Sequence, residues 1–148
     1  MRAMILAAGL GTRLRPLTDD HPKALVEISG RSLLEIVLAR LHSFGISEVI
    51  VNVHHFADKV IEHVRARNFF GMRVEISREE TLLDTGGGLK KAAWFFLQDG
   101  NDEPFLVHNV DVLSSRPGLA GKSDNMSITQ TWIVPAGRSF VRWEKRVG

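Results

Sequence analysis

Ala3-Met4-Ile5-Leu6-Ala7-Ala8-Gly9-Leu10-Gly11-Thr12-Arg13-Leu14-Arg15-Pro16-Leu17-Thr18, with Pro22-Lys23 shortly after, is the stretch that decides how this chain is read. Ala3 to Ala8 is almost wholly apolar and is cut off by glycine, the pattern of a strand covered on both faces and therefore parallel to its neighbours. Parallel strands deliver the loops that follow them to one edge of the sheet, where ligands bind. Gly9 and Gly11 lack a Cβ, so backbone N–H groups there can converge on an anion. Arg13 adds a fork of donors and Lys23 a compact charge, which suits successive phosphates of one polyphosphate. Pro16 and Pro22 restrict the loop from Gly9 to Pro22 and lower the entropy lost when it closes on a ligand.

Outward from this loop, strand and helix alternate. Ser32 is placed to cap a helix running to about Phe44, with Leu33, Leu34, Val37, Leu38 and Leu41 at helical spacing, Glu35 in the first turn and Gly45 as its stop. Val49 to Val53 reads as a second strand, and Phe56 to Phe70 as a second helix with Val60, Ile61 and Val64 inward. Met72 to Ser77 alternates Val74 and Ile76 with Arg73 and Glu75, as expected of a less buried strand nearer a sheet edge. Gly86-Gly87-Gly88 opens a helix from Leu89 to Leu97, in which Trp94 and Phe96 are read as packing residues. Pro104 to Val112 is a further strand. The alternation predicts an α/β fold of three layers, Rossmann-like, with a mostly parallel sheet.

The 148 residues suit one compact domain, and 44% hydrophobic with 24% charged residues argues against a natively disordered chain. Cysteine is absent, which removes disulfides, thiolate chemistry and sulfur metal sites and fits a cytoplasmic setting. No run approaches the roughly 20 apolar residues of a membrane span. The net charge of +2 gives no basis for nucleic acid binding. Its distribution is uneven: from Ser114 onward six basic residues face Asp124 and Glu144, net +4, whereas Met1 to Leu113 carries net −2. That tail is turn-rich, with strands expected within Thr129–Val134 and Phe140–Trp143. The chain therefore divides into residues 1–113, the part that carries the polyphosphate loop, and 114–148, an atypical basic tail.

Gly9-Leu10-Gly11 lacks the third glycine of a dinucleotide fingerprint, and Gly121-Lys122-Ser123 lacks the earlier glycine of a nucleotide P-loop. The six histidines show no metal-ligand spacing, and no serine sits in a nucleophile elbow. Asp111, at the end of a buried strand, has two readings: a carboxylate holding Mg²⁺ against a polyphosphate, or a strand-end cap. Asp84 is either a simple turn residue or part of a loop facing the nucleotide.

The run from Leu6 to Thr18 with Pro22-Lys23-Ala24-Leu25 closely resembles the signature of the sugar-1-phosphate nucleotidyltransferases. Later blocks agree in order: Gly30 before a helix, Asn52 after the second strand, Glu80 with Thr85-Gly86-Gly87-Gly88, and Asn109-Val110-Asp111. The last two resemble the branch holding N-acetylmuramate-1-phosphate uridylyltransferase and mannose-1-phosphate guanylyltransferase-like proteins. The resemblance implies transfer of a nucleoside monophosphate from a nucleoside triphosphate to a sugar 1-phosphate, releasing pyrophosphate, without a protein nucleophile. It implies that Ala7, Ala8, Gly9, Gly11 and Thr12 hold base and phosphates and that Gly87 and Gly88 contact base or ribose. It assigns Arg13 to the β- and γ-phosphates, Lys23 to the α-phosphate and Asp111 to the metal, Mg²⁺.

Two positions depart from the family pattern: Ala24 stands where proline often follows the lysine, and Val110 where glycine commonly precedes the aspartate. The resemblance covers about residues 1–113, and the family's second metal-binding aspartate and sugar subdomain have no counterpart here. The expectation is a catalytic part truncated on its C-terminal side, incomplete for turnover, with a noncatalytic nucleotide or sugar-nucleotide sensor as the alternative. A homo-oligomer that completes the sheet is a further expectation; nucleic acid and membrane partners are not expected.

Overall fold

The computed structural model describes residues 1–100, 103–111 and 131–134. Among them the elements are β1 (Ala3–Leu6), β2 (Glu27–Ile28), β3 (Arg31–Ser32), α1 (Leu33–Ser43), β4 (Glu48–Val53), α2 (Ala57–Ala66), β5 (Arg73–Arg78), α3 (Thr85–Leu97), β6 (Phe105–Asn109) and β7 (Thr131–Val134). The main sheet has the order β5-β4-β1-β6-β7. β1 pairs in parallel with both β4 and β6, β4 pairs in parallel with β5, and β7 pairs antiparallel with β6. The strand expected within Thr129–Val134 thus occupies Thr131–Val134. The strand expected at Phe140–Trp143, and Asp124, lie outside the described residues.

Strand alternation divides the core into two layers. Ala3 and Ile5 face one side with Val49, Val51 and Val53, where Leu34, Val37 and Leu38 of α1 and Val60 and Val64 of α2 cover them. Met4 and Ile50 face the other side, against Leu89, Ala92, Phe95 and Phe96 of α3. Phe96 stacks on Phe105 with centroids 3.7 Å apart, which makes α3 an anchor for β6 as well. The fold is therefore the three-layer α/β arrangement that the alternation of strand and helix implies.

Several element boundaries differ from the sequence reading for identifiable reasons. Ser32 caps α1 as expected, its Oγ accepting from the Glu35 N–H at 3.1 Å. Gly30 serves a tight hairpin between β2 and β3 with φ +77°, a value that an L side chain rarely adopts. α2 stops at Ala66 and not at Phe70: Asn68, Phe69 and Phe70 all take positive φ, so their apolar character continues the stripe without continuing the helix. α3 begins at Thr85 and takes all three glycines into its first turns. β5 lies at one edge of the sheet among the described residues, as the alternation predicts. Trp94 is partly exposed and packs edge-on against Phe95 with ring centroids 5.8 Å apart, whereas Phe96 is buried.

His63 of α2 ties that helix to the N-terminal cap of α1 on the same face of the sheet. Arg67 can only donate, so the 3.1 Å contact to Nδ1 makes that nitrogen an acceptor and places the ring proton on Nε2, 3.0 Å from Ser32 Oγ. Burial disfavours the imidazolium, and the Arg67 charge adds to that, so His63 is held below its usual pKa against the opposing pull of Glu35 and Glu27. The unfolded chain therefore binds this proton more readily than the folded one. Stability is fully present above the ordinary histidine value of about 6.5 and falls as pH drops through it towards the lower folded value. Urea denaturation between about pH 7.5 and 5.5 should show that loss, and His63→Asn should flatten it; a wild-type profile already flat over this range would refute the assignment.

Candidate functional site

β1, β4 and β6 run in the same direction, so their exits gather at one edge of the sheet. There lies a cleft of about 250 Å³ bounded by Leu6 to Gly9, Arg13, Lys23, Asn52, Leu82 to Thr85 and Asn109 to Asp111. Of the residues after β1 that line it, Ala7 and Ala8 are buried and Gly9 is exposed.

The loop after β1 is shaped by a close approach. Gly11 has φ +67°, and a Cβ there would lie 2.9 Å from Thr18 Cγ2 and 3.2 Å from Lys23 Cβ. Thr18, itself buried, donates its hydroxyl to the Gly11 carbonyl at 2.7 Å and closes the loop. Arg13 projects from the short 3-10 turn Thr12–Leu14. Lys23 begins a second 3-10 turn, Lys23–Leu25, in which Ala24 is fully buried in the core. That burial holds Lys23 at the cleft without the proline common in the family.

Asp111 follows β6. Val110 is buried, and its N–H donates to the Leu6 carbonyl at 3.1 Å, so the chain leaves the sheet with Asp111 turned to the cleft. Its carboxylate forms an ion pair with the Lys23 ammonium. Arg13 and Lys23, and Asp111 from far along the sequence, thus line one cleft with Ala7, Ala8 and Gly9.

Gly11, Thr12, Gly87 and Gly88 do not line it. Gly11 shapes the loop from behind. At Gly87 a Cβ would meet Leu83 Cβ at 3.1 Å, and at Gly88 it would meet Glu79 Oε1 at 2.7 Å and Asn52 Nδ2 at 2.8 Å. Gly88 is therefore required by close packing against buried polar groups.

Those groups form a network that the sequence did not reveal in full. Asn52 Oδ1 accepts from the Ala7 N–H at 2.7 Å, Asn52 Nδ2 donates to Glu79 Oε1 at 2.8 Å, and Glu79 Oε2 accepts from the Leu83 N–H at 3.0 Å. Glu79 is 2% exposed, whereas its neighbour Glu80, the residue in the matched block, is exposed. Two adjacent acids after a strand read as solvated, and only the burial of Ser77 and Glu79 on one face of β5 and its extension separates them. Asp84 lines the cleft and precedes α3 without a side-chain cap hydrogen bond. Among the described residues no group of three or more histidine or acidic side chains is placed to hold a metal ion.

A family model described as nucleotidyl transferase matches residues 2–122. The chain belongs to the nucleotidyl transferase family. It is 50% identical over 112 residues to an N-acetylmuramate alpha-1-phosphate uridylyltransferase of Caulobacter vibrioides, covering 74% of this chain and 45% of that protein. It is 37% identical over 119 residues to a mannose-1-phosphate guanyltransferase of Gibberella zeae, covering 79% and 32%. Among solved structures it is similar to HddC from Yersinia pseudotuberculosis complexed with GMP-PN, with TM-score 0.65, 34% identity, and 74% and 47% covered. The chain spans less than half the length of these relatives.

Within this nucleotidyl transferase fold the glycines of α3 are separable by experiment. Gly88→Ala gains up to about 1 kcal/mol of helix propensity but collides with Glu79 and Asn52, so a net loss of about 1–3 kcal/mol is expected by urea denaturation. Gly86, with open space around its Cβ position, should tolerate alanine or gain about 0.5 kcal/mol; equal effects at the two positions would contradict the packing argument.

Proposed function

We propose that this chain binds a nucleoside triphosphate in the β1 cleft and serves transfer of its nucleoside monophosphate to a sugar 1-phosphate, with release of pyrophosphate. The observation that carries the reading is the convergence of Arg13, Lys23 and Asp111 on the cleft lined by Ala7 and Ala8. Lys23 and Asp111 are paired with each other, so each holds the kind of partner that a charged substrate would supply. A polyphosphate entering the cleft draws Lys23 to the α-phosphate and frees the carboxylate. Arg13 takes the β- and γ-phosphates through its planar fork of donors.

The sugar phosphate oxygen then attacks the α-phosphorus in line as the bond to the bridging oxygen breaks, and pyrophosphate leaves with the charge that Arg13 neutralises. Asp111, a carboxylate that lines the cleft and already faces a cation, is the residue that would hold Mg²⁺. Mg²⁺ held there would supply charge neutralisation between the phosphates. No described helix is long and apolar enough to cross a membrane. With no cysteine in the chain, a cytoplasmic setting is the one we propose.

Calorimetry with UTP, GTP, CTP and dTTP in the presence of Mg²⁺ should show saturable uptake of at least one of them. Arg13→Ala and Lys23→Met should each reduce pyrophosphate release by about 10²- to 10³-fold where turnover is measurable, as expected for single contacts to developing charge. Asp111→Asn should abolish the magnesium dependence of binding. Uptake without pyrophosphate release on any sugar 1-phosphate would leave the nucleotide site standing and remove transfer by this chain alone, and no uptake at millimolar nucleotide would remove the reading altogether.

A further inference from the structure

Glu79 is buried at the carboxyl edge of the sheet, outside the set of residues assigned to substrate. A buried carboxylate is costly unless its oxygens are met by donors, and both oxygens of Glu79 are. The donors come from different walls of the cleft: Asn52 from the end of β4, and the Leu83 N–H from the loop before α3. Asn52 in turn receives the Ala7 N–H from the exit of β1. Ala7, Asn52 and Leu83 all line the cleft.

The direction of every bond in this chain is forced. The Ala7 N–H can only donate, so the Asn52 oxygen must face it, which leaves the Asn52 amide nitrogen as donor to Glu79. The Leu83 N–H also only donates, so the side chain at 79 must accept at both ends. A carboxylate does this and a carboxamide does not. The backbone of Glu79 is fixed as firmly: its N–H donates to the Val53 carbonyl at 2.8 Å, and its carbonyl accepts from His54 Nδ1 at 2.9 Å. Gly88 closes the fourth side, with no room for a Cβ between Glu79 and Asn52.

We infer that Glu79 is a positioning residue, acting through Asn52 and Leu83 to hold the β1 exit and the Leu82–Thr85 loop at the separation a nucleotide requires. Its side chain stands behind the cleft and is not among the residues that line it. Its effect on ligand rests on the nucleotide reading above, whereas the clamp itself is a property of the free protein.

The forced bond directions supply the test. Glu79→Gln turns an NH₂ group towards either Leu83 N–H or Asn52 NH₂, leaving donor against donor. Asn52→Asp alone sets two carboxylates face to face. The double variant Asn52→Asp/Glu79→Gln restores complementarity: the introduced carboxylate accepts from the Ala7 N–H and from the introduced amide, whose oxygen accepts from the Leu83 N–H. Amide hydrogen exchange at Ala7 and Leu83 is measured in the ligand-free proteins, and affinity is measured for whichever magnesium nucleotide the wild type binds most tightly.

Glu79→Gln should accelerate both amides and weaken nucleotide binding by about tenfold or more, and the double variant should return both readouts to within about threefold of wild type. A double variant no better than Glu79→Gln, or a Glu79→Gln protein indistinguishable from wild type, overturns the assignment. Should Glu79→Gln fail to fold, a folded double variant with protected Ala7 and Leu83 amides sustains the clamp, and an unfolded one overturns it. A wild type that takes up no nucleotide defeats the nucleotide reading, and the exchange arm then decides the clamp alone.

Discussion

Parallel pairing on both edges of Ala3–Leu6 forces the exits of β1, β4 and β6 to one side of the sheet, and the candidate site is a consequence of that geometry. Each parallel neighbour needs a crossover connection, so residues that meet at the edge are necessarily remote in sequence. The crossovers lie on both faces: α1 and α2 cover the Ala3/Ile5 side, and α3 covers the Met4 side. With its two faces and both edges occupied, β1 has no freedom to shift register. The first residues beyond it, Ala7 to Gly9, are presented at a fixed height relative to Asn52 and Asn109, which pair with Leu6 across the ladder.

Polar groups at this edge are arranged in two tiers. The outer tier, Arg13, Lys23 and Asp111, is charged and at least partly open to solvent. The inner tier, Asn52 and Glu79, is buried and spends its hydrogen-bonding capacity on backbone and on each other. Gly88 belongs to the inner tier, although the family resemblance assigns it with Gly87 to base or ribose. Its service is steric, giving the start of α3 room to settle against the amide and the carboxylate.

The parts of this arrangement legible in the sequence are those with a strong local signature. The β1 run has no polar position from Ala3 to Ala8, so burial on two faces is its natural reading, and the cations follow at short range. Ser32 is legible because a cap needs a hydroxyl at one defined place before an apolar stripe, and it is found there. Asp111 is visible as a carboxylate after a buried strand, though only the fold pairs it with Lys23. Glu79 is invisible for the opposite reason: its partners stand 27 residues away at Asn52 and on a backbone N–H, and beside Glu80 it reads as solvated. The end of α2 is obscured because Phe69 and Phe70 keep the apolar spacing while their backbone takes positive φ. The start of α3 is obscured because glycine propensity argues against a helix, and close packing outweighs it.

The union of Lys23 with Asp111 also bears on how an anion finds the cleft. That pair is nearly charge-neutral seen from a distance, so it contributes little to the field outside the protein, whereas none of the described ion pairs engages Arg13. On the nucleotide reading proposed above, attraction of a distant polyanion would fall chiefly to the guanidinium on the rim, and the ammonium would part from its carboxylate only on arrival. That reading would divide capture from seating between different residues, with ionic strength acting on the approach and less on the pair inside the cleft.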